Sequence, residues 1–236
     1  MRVGDTVRRP VGPWTPAVHA LLADLEHKGF HSAPRVLGID EQGREILQYI
    51  EGDVQWPDHG RLDDETLLRR IGHALRDFHE AVADYVPPPD AVWRFPEMAA
   101  DALPYADARG IIVCHNDPAA WNVVATADRI AFIDWDVAGP RPPIWDVAYC
   151  AVSLLAREAP VEQRLRALAE GYDLSAADRA RLPDVLVARI TSSREHMRRR
   201  AEAGIAPWDH LWAGGHGKAW ADLLEMALHV GGTLRL

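Results

Sequence analysis

The stretch CHNDPAAWN, residues 114–122, and the stretch IAFIDWD, residues 130–136, decide how this chain is interpreted. Asp117 and Asn122 lie five positions apart on what is predicted to be one tight loop. The apolar run that opens the second stretch predicts a short strand, with Asp134 at its end. The pattern therefore predicts that two acids and one amide converge at a single place.

These residue types suit phosphoryl transfer to a hydroxyl group. That reaction needs a carboxylate toward which the acceptor's proton is directed, and metal ions that neutralise charge between the transferring oxygens. Asp117 can face the acceptor while Asn122 turns back to the metal, and Asp134 at a strand end can bind Mg²⁺. Asp136 is predicted either to assist a second metal ion or to hydrogen-bond the loop. Each residue alone would be an ordinary loop residue, so the prediction depends on their joint occurrence.

Length, charge and cysteine content narrow the classes of function. The chain has 236 residues, enough for one large domain or two small lobes that share a cleft. Its formal net charge of −9 disfavours nucleic-acid binding, because a duplex-binding surface must be basic. No apolar run reaches about 18 residues, so no membrane span is predicted. Two cysteines without a CxxC pair, and an N-terminus without an apolar signal core, predict a cytoplasmic protein.

The order of predicted elements indicates an α+β fold with two unequal lobes. A strand, a helix and a two-stranded hairpin are predicted at residues 3–9, 15–29 and 36–50. Long helices follow from residue 63, interrupted by short strands at 111–114 and within 123–133. This order predicts a small mixed N-terminal lobe, residues 1–52, and a larger, mainly helical lobe, residues 53–236. Residues 51–58 are predicted to connect them.

The two loops together resemble the catalytic and metal-binding motifs of the aminoglycoside phosphotransferase and choline kinase family, which is related to the protein kinases. LRDFH at residues 75–79 is similar to the helix signature that precedes the catalytic loop in this family. WDVA at residues 145–148 resembles the acidic segment whose aspartate, here Asp146, supports the catalytic loop. The resemblance extends from roughly Arg8 to Ala148 and implies a protein-kinase-like fold with a truncated small lobe.

The resemblance also implies an activity and the residues that perform it. The chain would move the γ-phosphate of ATP or GTP to a hydroxyl of a small molecule, with Mg²⁺ as the metal ion. Asp117 would be the catalytic base, and Asn122, Asp134 and Asp136 would be the metal ligands. The partners would be a nucleotide and a small hydroxylated substrate.

The small lobe would hold the nucleotide. Arg8 matches the position of the strand lysine that contacts the nucleotide phosphates. In the competing register, Arg9 occupies that position. Gln48, Tyr49 and Ile50 match the hinge, whose backbone would pair with the adenine edge.

Two family features are missing from the sequence. Only seven residues precede Arg8, too few for the usual phosphate-covering hairpin, and no glutamate stands near Val18 and His19 to face the arginine. Either the true start lies upstream, or the nucleotide site is reduced. A reduced site predicts poor nucleotide affinity and an exposed edge strand at residues 3–7 that could form a homodimer. The alternative function is then a pseudokinase-like protein that binds a ligand or partner without phosphate transfer.

The sequence does not select the acceptor. One aromatic and polar cluster in the helical lobe is a candidate for contact with it: Trp208, Asp209, His210, Trp212 and His216.

Overall fold

The computed structural model describes residues 1–54, 62–155 and 160–233, and side chains as far as residue 230. The strands are β1 (Arg2–Val3), β2 (Thr6–Pro10), β3 (Val36–Ile39), β4 (Arg44–Gln48), β5 (Asp53–Val54), β6 (Ile112–Cys114), β7 (Val123–Ala125), β8 (Ile130–Phe132) and β9 (Gly139–Arg141). The helices are α1 (Thr15–His27), α2 (Glu65–Ala81), α3 (Ala99–Ala102), α4 (Pro143–Leu155), α5 (Val161–Tyr172), α6 (Ala176–Glu202), α7 (Trp208–Leu211) and α8 (Gly217–Thr233). The predicted α+β architecture, with a small mixed part and a larger helical part, is confirmed.

A four-stranded antiparallel sheet in the order β1-β2-β4-β3 forms the N-terminal part. Gly4, with φ of +57°, turns the chain back after two residues of strand. The predicted single strand at residues 3–9 is therefore a hairpin, and β2 lies inside the sheet between β1 and β4. The prediction of an exposed edge strand at residues 3–7 is wrong, because the edge on this side of the sheet is β1 (Arg2–Val3), and β2 is paired on both sides. A homodimer through this edge stays a prediction, with only two residues of strand to support it.

Helix α1 forms because its apolar residues recur with helical spacing. Leu21, Leu22 and Leu25 are buried in the main core, and Gly29, with φ of +74°, lies just beyond the helix. The helix therefore has one face toward the core, and His19 lies on the same helix within reach of β4.

The segment predicted as a linker contains a strand. Gly52 has φ of +141°, and β5 begins at the next residue and pairs with β7, Asp53 opposite Ala125. A Cβ at Gly52 would lie 2.8 Å from a Cγ of Val124, so the close approach requires glycine. The prediction of a linker is wrong at this point, because β5 joins the β7–β8 hairpin as a third strand. Residues 55–58 of the predicted connection lie outside the described residues.

The helical part is built around α4, in which every residue is buried. Helices α5, α6 and α8 pack around it, and α2 packs along α5. The β6–β9 pair and the β7–β8 pair hold the two polar loops against this core. Among the described residues, no helix is both long and apolar enough to cross a bilayer.

Helices α2 and α5 approach so closely that glycine is required where they meet. A Cβ at Gly72 would lie 2.7 Å from the backbone nitrogen of Tyr172, and a Cβ at Gly171 would overlap the backbone of Arg69. We expect Gly171→Ala to lower the free energy of unfolding by ~1–3 kcal/mol, the usual cost of overpacking. Urea denaturation measures this change. Gly214→Ala is the matched control, since its Cβ would meet no atom within 4 Å. Equal stability of the two variants would contradict the close packing.

Candidate active site

The loop between β6 and β7 holds the carboxylate of Asp117. Its Oδ1 accepts a hydrogen bond from the indole N–H of Trp121 at 3.1 Å, and its Oδ2 accepts one from the amide of Asn122 at 2.9 Å. Burial, together with the negative charge of Asp134, raises the pKa of Asp117 to about 7. A carboxylate held in this way is oriented, and its pKa lies where a general base is effective at neutral pH.

A fully buried acid supports this loop from behind. The carboxylate of Asp146 accepts hydrogen bonds from the backbone N–H of His115 at 2.8 Å and of Asn116 at 2.7 Å. His79 Nε2 lies 3.1 Å from the same carboxylate, and Tyr172 hydrogen-bonds the other ring nitrogen of His79. Asn116 has φ of +66°, an uncommon conformation for a non-glycine residue. The two hydrogen bonds from backbone N–H groups to Asp146 stabilise that conformation and so fix the residue just before Asp117.

Backbone hydrogen bonds bring the second loop against the first. Ile133 donates its N–H to the carbonyl of Asn122 at 2.9 Å, and its own carbonyl lies 3.1 Å from Nε2 of His115. The next residue, Asp134, adopts φ of +62° at the end of the strand segment, with half of its side chain exposed. Asp117, Asn122 and Asp134 are therefore neighbours, as the sequence predicts.

Arg9, rather than Arg8, faces these acids. Its Nη2 lies 2.9 Å from Oδ1 of Asp134 and 2.6 Å from Oδ2 of Asp136. Burial acts to lower the pKa of Arg9, but Asp134, Asp136 and Glu45 outweigh it and raise the pKa. Arg8 lies 3.7 Å from a carboxylate oxygen of Asp40 instead. Neighbouring residues on a strand point to opposite faces, so Arg9, the alternative position in the sequence analysis, lies beside Asp134 and Asp136, and Arg8 does not. Contact of an arginine with the nucleotide phosphates stays a prediction.

A buried glutamate that the sequence analysis missed completes this network. Glu45 stands opposite Arg9 in the β2–β4 ladder, and one of its oxygens lies 3.5 Å from Nε of Arg9. Its other oxygen lies 2.9 Å from Nε2 of His19 on α1. The carboxylate sought on α1 is therefore supplied by β4. Cross-strand pairing of the predicted strands was the signal that could have identified it.

The predicted hinge has part of its backbone already engaged. Gln48 donates its N–H to the carbonyl of Arg35 and Tyr49 donates to the carbonyl of Asp5, both at 2.9 Å. Ile50 is buried against the β7–β8 hairpin. In this structure the backbone N–H groups of Gln48 and Tyr49 are thus not free to donate to a nucleotide base. Contact of the hinge with adenine stays a prediction.

A pocket of about 110 Å³ opens beside Asp117 and Asn116. Helices α4, α6, α7 and α8 and the segment before α3 contribute its walls. Its lining side chains were missed by the sequence analysis, apart from Trp208: Phe95, Met98, Val137, Arg141, Trp145, Tyr149, Arg189, Ser193, His196, Met197 and Trp220. They come from separate stretches of the chain, 95–98, 137–141, 145–149, 189–197 and 220, and no motif joins these stretches, so no local signal indicates a shared pocket.

Comparison with known proteins identifies the family. Residues 81–183 match the model of the phosphotransferase enzyme family. The chain is also 31% identical to the trifolitoxin immunity protein of Rhizobium leguminosarum bv. trifolii, over 90% of this chain and 85% of that protein. The chain belongs to the phosphotransferase enzyme family. The predicted family resemblance is thereby confirmed.

Several solved structures have the same fold as this phosphotransferase. A choline/ethanolamine kinase family protein from Mesorhizobium loti has a TM-score of 0.64 at 21% identity, over 98% of this chain and 87% of that one. An amicoumacin kinase, solved in complex with AMP-PNP, Ca²⁺ and Ami, has a TM-score of 0.63 at 14% identity, over 94% of this chain and 80% of that one. These likenesses confirm the protein-kinase-like fold.

Proposed function

We propose that this phosphotransferase moves the γ-phosphate of ATP or GTP to a hydroxyl of a small molecule, in the cytoplasm and with Mg²⁺. One observation carries the proposal: the amide of Asn122 bonds the carboxylate of Asp117, while its backbone carbonyl holds Ile133 next to Asp134. Asp117 would receive the proton of the acceptor hydroxyl. Trp121 would keep the carboxylate oriented toward the pocket.

Residues of the two polar loops fit a magnesium ion. Asn122 and Asp134 offer amide and carboxylate oxygens, the hard ligands that Mg²⁺ prefers, and half-exposed Asp134 is accessible to it. Asp136 lies beside them, where Arg9 bonds one of its oxygens. Bound Mg²⁺ would supply charge neutralisation between the transferring phosphate oxygens. Arg9 would add positive charge from the small lobe, and Gln48, Tyr49 and Ile50 remain the proposed hinge.

The proposed role of Arg9 predicts a difference between two adjacent arginines. We expect Arg9→Met to raise the KM for ATP by ~10-fold or more, because hydrogen bonds to charged groups contribute about 1.5–3 kcal/mol. Arg8→Met is the matched control and is expected to change this KM by less than about twofold, since Arg8 faces Asp40. Steady-state kinetics at fixed acceptor measure both. A larger effect for Arg8→Met would place the phosphates on the other face of β2.

An acceptor screen with ATP and Mg²⁺, read by phosphate transfer, tests the proposed activity. Transfer is expected to disappear with EDTA and in Asp134→Ala. Failure of every hydroxylated acceptor, with ATP still bound, would favour the pseudokinase-like alternative.

The similarity to the trifolitoxin immunity protein supports a second, narrower candidate: protection of a cell from a toxin by phosphorylation. Expression of the chain would then raise the dose that a sensitive host tolerates. Protection that persists in Asp117→Asn would indicate sequestration of the toxin without phosphate transfer.

A further inference from the structure

The pocket beside Asp117 contains two buried arginines, Arg141 and Arg189, that form no ion pair with any acid in the described residues. Arg141 and Arg189 are only 5% and 4% exposed. Arg141 donates to the carbonyls of Pro140 and Phe95, while Arg189 donates to the carbonyl of Asn116 at 2.8 Å and to the hydroxyl of Ser193. Within the described part of the chain, neither arginine has a carboxylate oxygen within 4.0 Å. Their hydrogen-bond partners are neutral carbonyl and hydroxyl oxygens, so none of these partners carries a charge that would offset either guanidinium.

The other titratable groups of the pocket do not cancel this charge. Burial and the nearby Arg200 lower the pKa of His196 to about 4, so His196 is neutral at pH 7. Asp117 is the one acid among the described residues that line the pocket. Asp146 and Asp101 act on Arg189 only from beyond ion-pair distance. Two cations therefore face at most one anion, and uncompensated buried charge is costly unless a ligand neutralises it.

The remaining walls are apolar and aromatic. Tyr149 stacks with Trp220, their ring centroids 6.3 Å apart, and the guanidinium of Arg189 lies 4.0 Å from the centroid of Tyr149. Two buried polar atoms here have no hydrogen-bond partner in the described structure, Nε of Arg189 and Oδ1 of Asn116. The pocket thus combines buried polar atoms that lack a hydrogen-bond partner in the described structure with aromatic rings that suit an apolar molecule.

We propose that this pocket takes a hydroxylated acceptor with an apolar or aromatic body and a carboxylate group, which Arg141 and Arg189 bind. A polycationic or ammonium-bearing acceptor would meet two like charges. The assignment of this ligand as the acceptor rests on the proposed function, but its binding does not require phosphate transfer. Arginine suits the role because its planar fork matches a carboxylate.

Two matched sets of small probes test the charge preference. Each set pairs a phenyl ring and a hydroxyl with a carboxylate, a neutral amide or an ammonium group. The first is 3-phenyllactate, 3-phenyllactamide and phenylalaninol, and the second is mandelate, mandelamide and phenylglycinol. Isothermal titration of the 236-residue chain is expected to give at least about tenfold tighter binding of the carboxylate than of the amide. The ammonium member should bind most weakly.

Equal affinities, tighter binding of either ammonium probe, or no binding of both carboxylates would overturn the proposal. Arg189→Met and Arg141→Met should each reduce the preference for carboxylate. Arg199→Met is the control on α6, with the same change of charge at a side chain that is 67% exposed. The wild-type comparison needs no variant, so poor folding of one leaves the test intact. Carboxylate binding, combined with failure of every acceptor in the phosphate-transfer screen, would keep this inference and reject the proposed kinase activity.

Discussion

Asp117→Asn is expected to lower the turnover number by ~10²–10⁴, the usual contribution of a general base. The amide has nearly the same shape as the carboxylate, and its oxygen can still accept the indole N–H of Trp121, while its NH₂ group replaces the oxygen that accepts the Asn122 amide. It cannot take up the proton of an acceptor hydroxyl. Affinity for the nucleotide should change little, because Arg9 and Asp134, which are proposed to lie at the phosphates, keep their contacts with each other. Initial-rate assays with the acceptor found by the screen measure the loss.

Asp128→Asn provides the control for this substitution. Asp128 lies on the exposed turn between β7 and β8, and removing its charge there changes the net charge of the protein equally. This variant should keep full turnover. Full activity in Asp117→Asn would exclude Asp117 as the base. It would also contradict the proposal that the loop orients this carboxylate for catalysis.

Asp146→Asn is expected to destabilise the protein by ~3–5 kcal/mol, as removal of one partner from a buried ionic network commonly does. Burial acts to raise the pKa of Asp146, but His79 and the loop amides outweigh it and hold the pKa below its usual value. Both carboxylate oxygens accept N–H groups, from His115 and Asn116. An amide side chain would turn its own NH₂ toward one of these donors, and a buried donor would lose its acceptor.

Urea denaturation of Asp146→Asn measures the free energy of unfolding. Asp184→Asn, at an exposed position on α6, is the matched control and should stay within about 0.5 kcal/mol of the wild type. If both variants were equally stable, the loop between β6 and β7 would not depend on Asp146 for its conformation. We also expect residual folded Asp146→Asn to show reduced turnover, because the strained backbone at Asn116 would lose its support.

The two polar loops were predictable because their information is local. Asp117 and Asn122 are close in the sequence, and a short strand ends directly before Asp134, so residue types and spacing largely determine the arrangement. The hairpin of β3 and β4 was predictable for the same reason, since a polar turn containing Gly43 separates two apolar runs. Similarity to a known family then supplied the roles of these residues.

The tertiary structure decided which arginine enters the site. Residues alternate between faces along a strand, so a shift of one position exchanges Arg8 for Arg9, and only pairing of β2 with β4 settles the register. The same pairing places Glu45 against Arg9. Neither outcome can be read from residues 3–9 alone.

The pocket beside Asp117 was also decided only by folding. Arg141 follows the second loop, Arg189 lies in α6 and Trp220 lies in α8, and packing around the buried helix α4 brings them together. The sequence by itself determined the residue types and the spacing of the two polar loops, because short segments encode them. The charge of the pocket arises from contacts between distant segments, and these exist only once the helices have packed.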